Sequence, residues 1–109
     1  MPATHPTGLR FRRLLLTGAA GGLGRELRTR LKAYCDTLRL SDVAPLGPAA
    51  AGEEIQPAAL QDGAAVHALL HDVDAVVHLG GISVEGPFEP ILQANIVGTY
   101  HLYEAARKH

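Results

Sequence analysis

Apolar and polar positions along this chain follow two alternating periods. Leu14, Leu15 and Leu16 form an unbroken apolar run before Thr17 and Gly18, so residues 11–17 predict a strand that feeds a glycine-rich turn. Leu23, Leu27 and Leu31 then recur every four residues, with Arg25, Glu26, Arg28, Arg30 and Lys32 between them, which is the pattern of an amphipathic helix. Leu38 and Leu40 alternate within 37–42, a second strand, and 53–56 form a short third strand stopped by Pro57. Asp62 is placed to cap a helix running to about Leu70, with Ala65, Val66 and Leu69 turned inward. Ala75, Val76 and Val77 make 74–79 a fourth strand, apolar on both faces and closed by Gly80 and Gly81. Beyond Gly86, Pro87 and Pro90, residues 91–107 predict a helix that offers Ile91, Leu92, Ile96, Val97, Leu102 and Tyr103 for burial. Asn95 interrupts that apolar stretch, either as a brace for the neighbouring strand and loop or as a solvent-facing amide, and Gly98 permits close helix packing.

Strands separated by helical crossovers pair in parallel, and right-handed crossovers give the order 3-2-1-4. The fold class is therefore α/β, the N-terminal part of a doubly wound Rossmann sheet spanning 11–109. Residues 1–10 carry two prolines and no periodicity and are expected to be a flexible leader; 43–52, with Pro45, Gly47 and Pro48, are a connection.

Candidate chemistry gathers where the strands end. Gly18, Gly21 and Gly24 form GxxGxxG between the first strand and the first helix. In such a turn the first glycine allows the sharp bend, the second lets main-chain N–H groups close on a phosphate, and the third lets the helix pack closely. Gly22 adds room, and a pyrophosphate would meet the unpaired N–H groups and positive dipole of the helix start at Gly22 and Leu23. Asp42, 24 residues after Gly18, ends the second strand, where a carboxylate can accept from ribose hydroxyls and repel a 2′-phosphate; this favours NAD over NADP. Leu79, Gly80 and Gly81 occupy the same edge, with Ser83 beyond them as either a substrate contact or an ordinary loop serine.

Composition narrows the partners. The chain has 109 residues, 47% of them hydrophobic, and a formal net charge of −1, which gives no basis for nucleic-acid binding. Cys35 is the single cysteine, so no internal disulfide exists and a cytoplasmic location is expected. Arg12 and Arg13 flank the first strand, because the apolar run after them breaks at Thr17 and Gly18; no stretch approaches the roughly 20 apolar residues that cross a bilayer. His67 and His71 are four apart on one helix, yet Ala68 stands where HExxH has glutamate, so they are read as surface histidines and no metal is expected. His78 is read as packed.

These residues carry a resemblance. TGAAGGLGR at 17–25 is similar to much of the extended short-chain dehydrogenase superfamily, which includes the NAD-dependent epimerases and dehydratases. HLGGISVEGPFEPILQANIVGTYHLYEAA at 78–106 resembles the uronate dehydrogenases in particular, and the likeness runs over 13–109. It implies an oxidoreductase that moves a hydride to NAD from C1 of a uronic acid such as galacturonate or glucuronate, giving an aldarolactone. By the same likeness Asp42 and Val43 flank the adenosine, Leu60 lies by the adenine, Leu79 and Gly80 run along the cofactor's ribose path, and Ser83 contacts the sugar acid.

Two departures stand out. The family commonly has Asp-Leu after its third strand, where this chain has Ala59 and Leu60, and alanine has no side-chain acceptor. The family's catalytic serine and YxxxK pair are not among these residues: Tyr100 is followed four positions later by Glu104, and Tyr103 by Arg107. No catalytic residue is therefore assigned, and the 109 residues alone are expected to be inactive, with self-association expected at the fourth strand's open edge. A non-catalytic dinucleotide-binding module and a piece of a nucleotide-sugar epimerase or dehydratase are the competing readings.

Overall fold

The structure is a computed structural model and describes residues 10–109; the expected leader otherwise lies outside the described residues. Four parallel strands form one sheet in the order β3-β2-β1-β4, as the crossover argument predicts. They are β1 (Phe11–Thr17), β2 (Cys35–Ser41), β3 (Glu53–Ile55) and β4 (Ala75–His78). Helix α1 (Gly22–Arg30) leads through a 3₁₀ turn (Leu31–Tyr34) into β2; α2 (Gly63–Leu69) joins β3 to β4; and α3 (Phe88–Ile91), a π-helical turn (Leu92–Val97) and α4 (Gly98–Lys108) follow as one rod.

The period-two alternation of the strands sorts their side chains into two cores. Leu14, Leu16, Leu38 and Leu40 pack beneath α1 against Leu27 and Leu31. Leu15 points the other way, into Val66, Leu69, Leu102 and Ala105 of α2 and α4. Leu15, Leu16, Leu38 and Leu40 are fully buried, so β1 and β2 form the centre of the sheet. The β4 strand pairs only with β1 and is half-buried, because no strand covers its other edge among the described residues.

Two ionic clusters tie the connections to the sheet. The Glu53 side chain, 1% exposed, binds Arg28 at 2.7 Å and Lys32 at 2.8 Å and accepts from the Ala50 N–H at 2.8 Å. Arg28 in turn donates to the carbonyls of Leu46 and Pro48, which fixes the 43–52 connection on α1. Arg39, buried on the opposite face, binds Glu54 at 3.1 Å and donates to Leu69 O and His71 O at 2.8 Å each.

The last helix differs from its expected packing. Ile96 is 61% and Tyr103 72% exposed rather than buried, and with Tyr100 they form a separate apolar stripe at i, i+4, i+7. The buried stripe is Gly98, Leu102 and Ala105, two residues on and so on nearly the opposite side of the helix. Two apolar stripes share one helix, and the sheet covers one of them.

Candidate functional site

A cavity of about 650 Å³ opens at the carboxyl ends of the strands. Gly18 and Gly21 from the glycine turn, Asp42 and Val43 after β2, Leu60 after β3, and Leu79, Gly80, Gly81 and Ser83 after β4 all line it. An open parallel sheet binds ligands at this edge, where the strand order reverses between β1 and β4. Gly22, Leu23 and Gly24 lie outside the lining.

The glycines divide the work differently from one another. Gly18 has φ +67°, and a Cβ built on it would stand 2.6 Å from the Leu79 carbonyl carbon, so its bareness lets the β1 turn touch the β4 loop. A Cβ on Gly24 would meet Gly18 O at 2.2 Å, which seats α1 against its own turn. At Gly22 nothing lies within 4 Å. Helix α1 begins there with no side-chain cap and no acidic residue in its first turn. The first N–H to find a helical acceptor is that of Arg25, on Gly21 O, so the N–H groups of Gly22, Leu23 and Gly24 are available to an anion.

Asp42 is held by two main-chain N–H groups. One carboxylate oxygen accepts from the Ala20 N–H at 3.0 Å and the other from the Ala44 N–H at 3.1 Å, joining the end of β2 to the glycine turn. A carboxylate has lone pairs left over for ribose hydroxyls. Leu60 is positioned from α4: Gly98 approaches it so closely that a Cβ would lie 2.6 Å from Leu60 Cβ, and the His101 ring contacts Leu60 O at 3.0 Å.

Beyond β4, Asn95 spans the loop. Its Oδ1 accepts from the Ile82 N–H at 2.6 Å and its Nδ2 donates to Ile82 O at 2.8 Å, which realises the brace considered from sequence. The π turn that contains Asn95 widens the helix at this point, and Thr99 donates to the Asn95 carbonyl at 2.5 Å. His78 is packed on Thr17, with burial lowering its pKa. His67 and His71 approach the His109 ring, with centroids 5.9 and 6.2 Å away. Among the described residues no group of three His, Cys, Asp or Glu is arranged to hold a metal, and no helix is long and apolar enough to cross a membrane.

Sequence reasoning passed over Thr17, Ser41, Ala58, Gln61 and Gln93, which also line the cavity. Thr17 and Ser41 had a usable signal: each is a polar residue closing an apolar strand, and the two are paired in the sheet register.

Glycine turn, open helix start, carboxylate after β2 and apolar wall after β3 together define a dinucleotide-binding half-sheet. The chain belongs to the NAD dependent epimerase/dehydratase family, whose model matches residues 14–109. It is 56% identical to a uronate dehydrogenase of Pseudomonas syringae pv. tomato over 110 aligned residues, covering 100% of this chain and 40% of that protein. A Pseudomonas putida uronate dehydrogenase is 60% identical over 91% of this chain and 37% of its own. Among solved structures, a mutant uronate dehydrogenase from Agrobacterium tumefaciens complexed with NAD superposes with a TM-score of 0.88 at 57% identity, covering 90% of this chain and 37% of that one. The chain thus spans about 40% of the length of the curated relatives it matches.

Proposed function

We propose that this chain is the NAD-binding part of a dehydrogenase that oxidises a uronic acid, galacturonate or glucuronate, at C1 to the aldarolactone. The observation that carries the reading is the uncapped start of α1 beside Asp42 and the β4 loop, in a chain 56% and 60% identical to two uronate dehydrogenases. In this reading the N–H groups of Gly22, Leu23 and Gly24 hold the pyrophosphate, and Gly18 and Gly21 leave it room. Asp42 takes the adenosine ribose and disfavours NADP; Val43 and Leu60 enclose the adenine. Leu79, Gly80 and Gly81 guide the other half of the cofactor toward the sugar acid, which Ser83 contacts.

NAD, when bound, accepts the hydride from C1. The hydroxyl proton needs a base, and neither Tyr100 nor Tyr103 has a lysine four residues on, so a base from outside these 109 residues completes the reaction. The chain alone therefore turns over no substrate. A cytoplasmic setting fits the lone, buried Cys35, and the uncovered β4 edge supports self-association when the chain stands by itself.

The test measures NADH formation from galacturonate and glucuronate, with the 109 residues and with a version extended through a YxxxK segment of a uronate dehydrogenase. Turnover by the extended version only is expected. Turnover by the short chain overturns the reading of it as a cofactor half, and none by either, despite NAD binding, favours a non-catalytic module.

A further inference from the structure

Besides Glu53, whose carboxylate Arg28 and Lys32 hold, three polar or charged residues are buried among the described residues, and two of these three are fully engaged. Thr17 serves Leu79, Gly80 and His78, and Arg39 serves Glu54, Leu69 and His71. Ser41 is the third. It is 2% exposed, its carbonyl accepts from the Ala19 N–H, and its hydroxyl has no hydrogen-bond partner among the described residues. Buried hydroxyls are nearly always satisfied, and one left unmet at a cavity wall points to a partner that comes from the cavity.

Strand alternation fixes which wall. Leu38 and Leu40 lie in the core beneath α1, whereas Arg39 reaches across the other face to the end of α2. Ser41, two residues on, shares the face of Arg39. Ala58 and Leu60 pack on that side and line the same cavity. An apolar wall whose one unmet buried hydroxyl is that of Ser41 suits a heteroaromatic base: phosphate would need the N–H groups at α1, and sugar hydroxyls have Asp42. A purine edge offers ring-nitrogen acceptors and an amino donor, and a hydroxyl can answer either.

We propose that Ser41 Oγ makes the polar contact to the adenine edge, in place of the side-chain acceptor that Ala59 cannot provide. This rests on reading the cavity as an NAD site. Calorimetry with AMP and with NAD, on the wild-type protein and Ser41→Ala, separates the two claims, and thermal denaturation without ligand supplies a second readout. Ser41→Ala is expected to bind AMP and NAD about fivefold more weakly while its ligand-free melting temperature stays level or rises, because an unmet buried hydroxyl has been removed. Ser41→Thr, which keeps a hydroxyl, should retain more of the affinity than Ser41→Ala. Unchanged AMP binding by Ser41→Ala overturns the proposal and leaves the NAD reading standing. A lowered ligand-free melting temperature overturns it in favour of a structural hydroxyl, and a wild-type protein that binds neither AMP nor NAD overturns both claims.

Discussion

Thr17 Oγ1 lies 2.5 Å from His78 Nδ1, joining the last residues of β1 and β4. The same oxygen accepts from the N–H groups of Leu79 and Gly80 at 3.0 Å each. A hydroxyl oxygen has two lone pairs, both now used, so its own proton goes to His78 Nδ1 and the ring carries its proton on Nε2. One rotor thus sets the direction of two cavity-lining residues. Thr17→Val leaves the Gly80 N–H without its acceptor, whereas Leu79 N–H keeps a 3.3 Å contact with Thr17 O. Urea denaturation should show a loss of about 1–2 kcal/mol.

Protonating His78 would set an N–H against the Thr17 hydroxyl, and burial already holds its pKa below the ordinary imidazole value. The unfolded chain therefore binds this proton first as pH falls. His78 contributes stability that is present above the unfolded pKa of about 6.5 and is lost below it, down to the lowered folded value. Melting curves between about pH 7 and pH 5 should fall less steeply for His78→Gln than for the wild type.

Glu53 loses stability in the same direction, but for a different reason. Its hydrogen bond from Arg28, together with that from Lys32, holds its pKa at about 2 against burial. A lowered carboxylate pKa contributes stability that is complete above the unfolded value and is lost as pH falls from about 4.3 toward the folded value of about 2. Glu53→Ala should cost about 2 kcal/mol at neutral pH by chemical denaturation; that is less than the loss of a fully buried pair, because Arg28 and Lys32 keep some contact with water.

Asp42→Ser should weaken NAD binding about tenfold and bring NADP affinity close to that of NAD, as read by calorimetry with both cofactors. Its bonds to Ala20 and Ala44 add a second effect, since their loss frees the glycine turn from β2. Strong NAD preference surviving in the variant would count against Asp42 as the ribose acceptor.

Gly22 and Gly24 are two residues apart and should respond in opposite ways. Gly24→Ala drives a methyl into Gly18 O and should prevent stable folding, seen as loss of a cooperative melt. Gly22→Ala meets open space and should raise stability by up to about 1 kcal/mol through helix propensity. The same methyl should weaken NAD binding if the pyrophosphate closes on this turn.

The sheet order and glycine turn were legible because their causes are local: a three-leucine run, a four-residue leucine repeat, and φ values that glycine adopts easily. The Thr17–His78 contact joins residues 61 positions apart and exists only once β1 and β4 pair. Ser41 reads as an ordinary strand-end serine until the folded chain buries it at the cavity wall that Ala58 and Leu60 also line. Ile96 and Tyr103 were misjudged because both stripes of the last helix are apolar, and the sequence has no mark for the one that the sheet covers. Asp42 was legible as a carboxylate after a strand, but its role in holding the turn needed the main-chain N–H groups that only the folded turn aims at it.

The two hydrogen bonds between Asn95 and Ile82 copy those that a neighbouring peptide would make, donor to acceptor and acceptor to donor. Where β4 ends, a side-chain amide thus stands in for one residue of an adjacent strand. Because that amide rides on the π turn, the clasp fastens the rod from Phe88 to Lys108 to the loop at the cavity's entrance, one residue before Ser83.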